Sequence, residues 1–212
     1  IQRAMAANLA PGAPLIAETG GLNAMIVDST ALPEQAVADI VQSAFQSTGQ
    51  RCSALRCLYV QEDIAESFCE MLFGAMDELV IGMPWAHATD VGPVIDAAAK
   101  TTIDTYVDHA RKEGRVLKQL SVPASATEGG HFVAPVALGV ASIAEMNREI
   151  FGPVLHIAIF KATEIDAAVN AINATGYGLT FGLHTRIDDR VQHIVERLHA
   201  GNIYVNRNQI GA

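Results

Sequence analysis

Ala24-Met25-Ile26-Val27, then Pro33-Glu34-Gln35-Ala36-Val37-Ala38-Asp39-Ile40-Val41-Gln42-Ser43-Ala44-Phe45, then Leu58-Tyr59-Val60-Gln61: this stretch decides the fold. The outer two pieces are short apolar runs of strand length. Between them Ile40, Val41, Ala44 and Phe45 recur at the spacing of one helical face. Pro33 suits a first helical turn, where its missing N–H has no partner to lose, so a helix is expected from Pro33 to about Ser47. Strand, helix and strand in that order predict a largely parallel sheet.

The same alternation continues outward. Further strand-like runs fall at residues 116–120, 132–140, 154–160 and 203–205, and helical periodicity at 64–80, 97–113, 164–174 and 187–198. Phe68, Leu72 and Leu79 mark the buried face of the first of these helices, and Gly114 and Gly201 suit C-caps. The fold class is therefore α/β, a largely parallel sheet flanked by helices. Residues 121–130, rich in Ser, Ala, Pro and Gly, read as a surface loop, and there is no internal repeat. The run Gly176-Tyr177-Gly178-Leu179-Thr180-Phe181-Gly182 follows a helix and leads into a strand. A dinucleotide cradle needs the reverse order, so this run is expected to be a tight helix-to-strand turn.

Composition narrows the function. The 212 residues are half apolar and carry a formal net charge of −9, with both signs scattered along the chain. One ordinary globular domain is the expectation, and the charge argues against nucleic acid or an anionic membrane as partner. No apolar stretch reaches the length of a membrane span. The first residues lack the features of a signal peptide, and three cysteines without paired spacing suit neither a disulfide framework nor structural zinc, so the expected home is the cytoplasm. The seven histidines are dispersed, and no metal site is expected. His156, inside an apolar run, is read as a hydrogen-bonded core histidine.

The chemically informative segment is Thr48-Gly49-Gln50-Arg51-Cys52-Ser53-Ala54, between an expected helix and an expected strand. A thiol there is nucleophilic only as the thiolate, which Arg51, Arg56 or loop amides can stabilise. From the residues alone the favoured reading of Cys52 is a small half-buried hydrophobe beside a turn, free cysteines being commonly buried and inert.

Three motifs carry a resemblance. Ala17-Glu18-Thr19-Gly20-Gly21-Leu22-Asn23-Ala24, Gly49-Gln50-Arg51-Cys52-Ser53-Ala54 and Glu149-Ile150-Phe151-Gly152-Pro153-Val154 occur in the order and spacing of the aldehyde dehydrogenase superfamily. Asp90-Val91-Gly92-Pro93-Val94-Ile95 and Gly201-Asn202-Ile203-Tyr204-Val205-Asn206 extend the likeness along the chain. The resemblance implies an aldehyde dehydrogenase catalytic-domain fold, with Cys52 as nucleophile, passing through a thiohemiacetal and a thioester, and Glu18 as the general base that activates the deacylating water. It implies further that Glu149 and Phe151 contact the nicotinamide ribose of NAD. The family's oxyanion-hole Asn lies well upstream of the Glu18 motif, so Asn23 is not its counterpart.

Within the superfamily the chain is most similar to the glutamate γ-semialdehyde dehydrogenase part of bacterial bifunctional proline-utilisation enzymes. That likeness implies oxidation of L-glutamate γ-semialdehyde (open pyrroline-5-carboxylate) to L-glutamate, with Ser53 holding the substrate α-carboxylate. Arg51 either supports the same carboxylate or braces the loop. FAD belongs only to the proline dehydrogenase part of such enzymes, which is not seen here. Residues 1–212 are expected to be a catalytic-domain fragment, with NAD held mainly by a separate domain and the aldehyde-anchoring and oligomerisation segment following Ala212. The fragment alone is expected to be inactive, and its parent to be a homo-oligomer acting on a small aldehyde. The competing expectations are another aldehyde dehydrogenase, a noncatalytic self-associating module, or a thiol acyl-transfer enzyme, which would need a histidine base at Cys52.

Overall fold

A computed structural model of the chain describes residues 1–16, 20–124 and 129–211. Its centre is a seven-stranded sheet in the order β3-β4-β5-β2-β1-β6-β7. The strands are β1 (Asn23–Val27), β2 (Leu55–Gln61), β3 (Val116–Gln119), β4 (Val136–Gly139), β5 (Val154–Phe160), β6 (Thr180–His184) and β7 (Asn202–Val205). Every pairing is parallel except β3 with β4, which form an antiparallel edge. The helices are α1 (Gln2–Asn8), α2 (Pro33–Phe45), α3 (Ala65–Asp77), α4 (Ala97–Lys112), α5 (Ile165–Ala174) and α6 (Asp188–Arg197). Among the described residues, no helix is long and apolar enough to cross a membrane.

Side-chain alternation sorts the core into layers. Met25, Val27, Leu58, Val60 and Ile157 point to one face, where Ala36, Val37, Ile40, Ala44 and Phe45 of α2 and Phe68, Leu72 and Met76 of α3 cover them. Ala24, Ile26, Cys57, Tyr59, Ala158, Phe181 and Leu183 point the other way, under Val169 and Ile172 of α5 and Ile194 of α6. α4 closes the β4 end with Ile103, Val107 and Ala110 against Val136, Leu138 and Val154.

Three expectations need correction. The run at 132–140 yields a strand only from Val136; Pro135 precedes it and has no N–H for a ladder. Gly201 caps no helix: α6 ends at Arg197 with an extended Leu198, and the Gly201 N–H instead bonds the Gly178 carbonyl at 2.8 Å on the way into β7. β2 starts at Leu55, three residues earlier than the apolar run suggests. Several other expectations hold closely, while residues 125–128 of the loop expected at 121–130 lie outside the described residues. Gly114 adopts φ +72° just beyond α4, and the glycine-rich run after α5 turns into β6. His156 is buried and bonded at both ring nitrogens.

The pairing of β1 with β2 is irregular at its start. Asn23 lies opposite Leu55 and Ala24 opposite Cys57, leaving Arg56 as an extra residue in a β-bulge.

Candidate active site

The three motifs converge because each one precedes a strand, and those strands, β1, β2 and β5, are adjacent and parallel in the sheet. Gly20 and Gly21 lead into β1, the Cys52 loop into β2, and the Glu149 loop into β5. The candidate site is therefore the rim formed by the N-terminal ends of these strands.

The Cys52 loop leaves α2 through an unusual turn. Ser47, Thr48 and Gly49 take φ values of 55°, 58° and 66°, three consecutive residues in the left-handed region. A β-branched residue such as Thr48 is strained there; its hydroxyl donates to the Gly92 carbonyl at 3.0 Å. Gly49 admits no substitute, since a Cβ would lie 2.2 Å from the Gly152 carbonyl oxygen. Gln50 ties the same loop to the segment at 93–95, accepting from the Ile95 N–H at 2.8 Å. Past this turn Cys52 is exposed, whereas Cys57 is buried and Cys69 half-buried, and burial pushes both of those thiols up from the ordinary range.

Behind Cys52 lies a buried polar cluster. Asn23, which opens β1, donates through Nδ2 to the carbonyls of Cys52 (2.7 Å) and Ala54 (2.9 Å), and its Oδ1 accepts from the Thr180 N–H. The Ser53 carbonyl accepts from the Thr180 hydroxyl at 3.2 Å. Arg56, fully buried, is the centre of the cluster. Its Nη1 donates to the carbonyls of Gly49 (2.7 Å) and Gly152 (3.2 Å), and its Nη2 to the Arg51 carbonyl (3.1 Å). Nε and Nη2 both reach Glu149 Oε1, at 3.1 and 2.8 Å. Burial pulls the Arg56 guanidinium down from its ordinary value, and Glu149 opposes that shift. An arginine so placed remains a cation.

Glu149 is pinned from a second side: its Oε2 accepts from the Gly21 N–H at 3.0 Å. Its side chain is 12% exposed, so it is neither a free surface carboxylate nor sealed off. The exposed Phe151 ring sits over the Arg56 guanidinium, 5.2 Å from centroid to Cζ. Ser47, Gln50, Pro93, Val94, Ile95 and Phe151 line an open groove of about 570 Å³ beside the loop.

The residues expected from sequence thus divide. Cys52, Arg51, Ser53, Glu149 and Phe151 stand along one rim, Ser53 buried there and not facing water. Arg51 donates from Nε to the Ser47 hydroxyl at 3.0 Å, a contact that braces the loop. Glu18 lies outside the described residues. Asn23, Thr180 and the bulge at Arg56 were not anticipated as parts of the site; a polar residue opening an apolar strand is the one sequence signal that marks Asn23. Among the described residues no cluster of His, Cys, Asp and Glu has the makings of a metal site.

Residues 1–212 match the aldehyde dehydrogenase family, and the chain belongs to it. It is 48% identical over 203 residues to the bifunctional protein PutA of Escherichia coli (strain K12), covering 94% of this chain and 15% of that protein. To the 1-pyrroline-5-carboxylate dehydrogenase of Bacillus cereus (strain B4264) it is 37% identical, over 93% of this chain and 38% of the relative. A crystal structure of bifunctional proline utilization A superposes on 99% of the chain and 21% of its own length, with a TM-score of 0.92 and 50% identity. For a 1-pyrroline-5-carboxylate dehydrogenase from Thermus with bound NAD the TM-score is 0.83 at 32% identity, over 99% of this chain and 41% of that one. The chain therefore spans well under half the length of these relatives.

Proposed function

We propose that this chain is the catalytic part of an NAD-dependent aldehyde dehydrogenase that oxidises L-glutamate γ-semialdehyde to L-glutamate in proline catabolism. The observation that carries the reading is Cys52: an exposed thiol at the start of β2, with its own loop carbonyls and the Glu149 carboxylate held by one buried cluster. Its relatives include proteins named 1-pyrroline-5-carboxylate dehydrogenase, which supports the substrate class.

On this reading Cys52 Sγ, as thiolate, adds to the aldehyde carbon and forms a thiohemiacetal. NAD, when bound, supplies the hydride acceptor. Once hydride has left the carbon, Cys52 holds a thioester; water, deprotonated by Glu18, displaces the sulfur and releases the acid. The residues present suit the nicotinamide ribose. Among the described residues Glu149 Oε2 accepts one hydrogen bond, from the Gly21 N–H, and keeps acceptor capacity at the rim, and Phe151 offers an exposed ring beside an open groove. Ser53 and Arg51, on either side of the nucleophile, are assigned to the substrate α-carboxylate, Arg51 while also bracing the loop.

Residues 1–212 would then be one domain of a larger cytoplasmic, homo-oligomeric enzyme whose other domain holds most of NAD. Helix α1 buries none of its residues, and Ile1, Leu9, Leu15 and Ile16 are exposed, as fits a segment that packs against further protein. The test is chemical. In the full-length enzyme, iodoacetamide should label Cys52 in preference to Cys57 and Cys69, read by mass, and Cys52→Ala should remove at least about a thousandfold of aldehyde oxidation without unfolding the protein. Turnover that survives Cys52→Ala would overturn the mechanism.

A further inference from the structure

Arg56 is not among the residues that meet substrate or cofactor on the reading above, yet it touches more of the site than any of them. The bulge places it out of step with its neighbours in β2 and turns its side chain into the rim. Its carbonyl is taken by the side chain of His156, Nδ1 to oxygen at 3.0 Å. A carbonyl only accepts, so Nδ1 carries the hydrogen of this neutral imidazole, and Nε2 accepts from the Tyr106 hydroxyl at 2.8 Å. The backbone of Arg56 is thereby fixed from α4 and β5, while its guanidinium reaches forward.

Resting on the proposed catalytic reading, we infer that Arg56 is a positioning residue, a single buried guanidinium that sets the Cys52 loop and the Glu149 carboxylate relative to each other. Its planar fork is what the geometry needs. Carbonyls of Gly49 and Arg51, on the approach to Cys52, and the carbonyl of Gly152 with Glu149 Oε1, from the loop before β5, are held by three nitrogens of one rigid group. A lysine ammonium supplies the charge but cannot span these acceptors.

The experiment measures the rate of Cys52 alkylation by iodoacetamide against pH in the full-length enzyme, with thermal unfolding as the check on folding. Arg56→Met should slow Cys52 alkylation by about tenfold at every pH, because the donor shared by the Gly49 and Arg51 carbonyls before Cys52 is lost. Arg56→Lys should slow it by about threefold, since the charge stays and the planar fork does not. Folded Arg56 variants that alkylate like the parent at every pH would overturn the inference alone; if Arg56→Met fails to fold, Arg56→Lys decides. A parent whose Cys52 is not selectively labelled overturns the catalytic reading and the inference with it.

Discussion

The two ends of the parallel sheet each carry a carboxylate–arginine pair with one partner buried, and they are built differently. At the N-terminal ends of β1, β2 and β5, Arg56 is sealed while Glu149 keeps partial access to solvent. At the C-terminal ends of β1 and β6 the arrangement is inverted: Asp28 is fully buried and its partner Arg190 reaches it from the surface. Both Asp28 oxygens are consumed locally, Oδ1 by the Thr30 N–H and hydroxyl at 2.7 and 2.6 Å, Oδ2 by Arg190. Burial alone would raise the Asp28 carboxyl, but Thr185, Thr30 and Arg190 hold it below its ordinary value. One end leaves a carboxylate partly accessible and the other closes turns. Open α/β sheets usually bind ligands at the carboxyl ends of their strands; the site proposed here is at the opposite end, where the loops with an exposed thiol and a partly accessible carboxylate lie.

If this contrast is right, damage at the two ends should be separable. The largest effect is expected from Gly49→Ala, which drives a methyl into the Gly152 backbone at a left-handed position. It should cost roughly 3 kcal/mol or more by chemical denaturation, and Cys52 labelling should fall with it; labelling unchanged in a folded protein would show that the loop is not held as described. Asp28→Asn should cost about 2 kcal/mol and leave Cys52 labelling per folded molecule unaltered. Loss of labelling there would erase the distinction between the ends.

The smallest effect is acid sensitivity, shared by both. Burial lowers His156 and His184 from 6.5 to about 4. Below pH 6.5 the unfolded chain takes up a proton at each site that the folded chain refuses until about pH 4. Stability present at neutral pH is therefore lost as the pH falls through that window. His156→Gln should reduce the loss between pH 7 and pH 6 by about 0.7 kcal/mol, and an unchanged slope would place the acid sensitivity elsewhere.

Most of the architecture was legible because apolar spacing reports burial directly: β5 was read to the residue, and α2 began at Pro33 as its sequence requires. The misses have physical causes. Gly182 interrupts the apolar run of β6, which was anticipated only as the strand following a turn, and Arg56 interrupts that of β2, which hid the first three residues of the strand. The motifs named Cys52, Glu149 and Phe151, but not what fixes them. Arg56 lies 93 residues from Glu149 and 96 from Gly152, and no local pattern encodes contacts across such separations.

The bulge has one more consequence. Leu55 and Leu58, an odd number of residues apart, both pack under α2 and α3, which a regular strand forbids. The extra residue acts as a phase shifter: rim side chains upstream of it are decoupled from the inward and outward alternation that builds the core downstream. The loop carrying the thiol can be re-aimed without turning a single core residue of β2 to the wrong side.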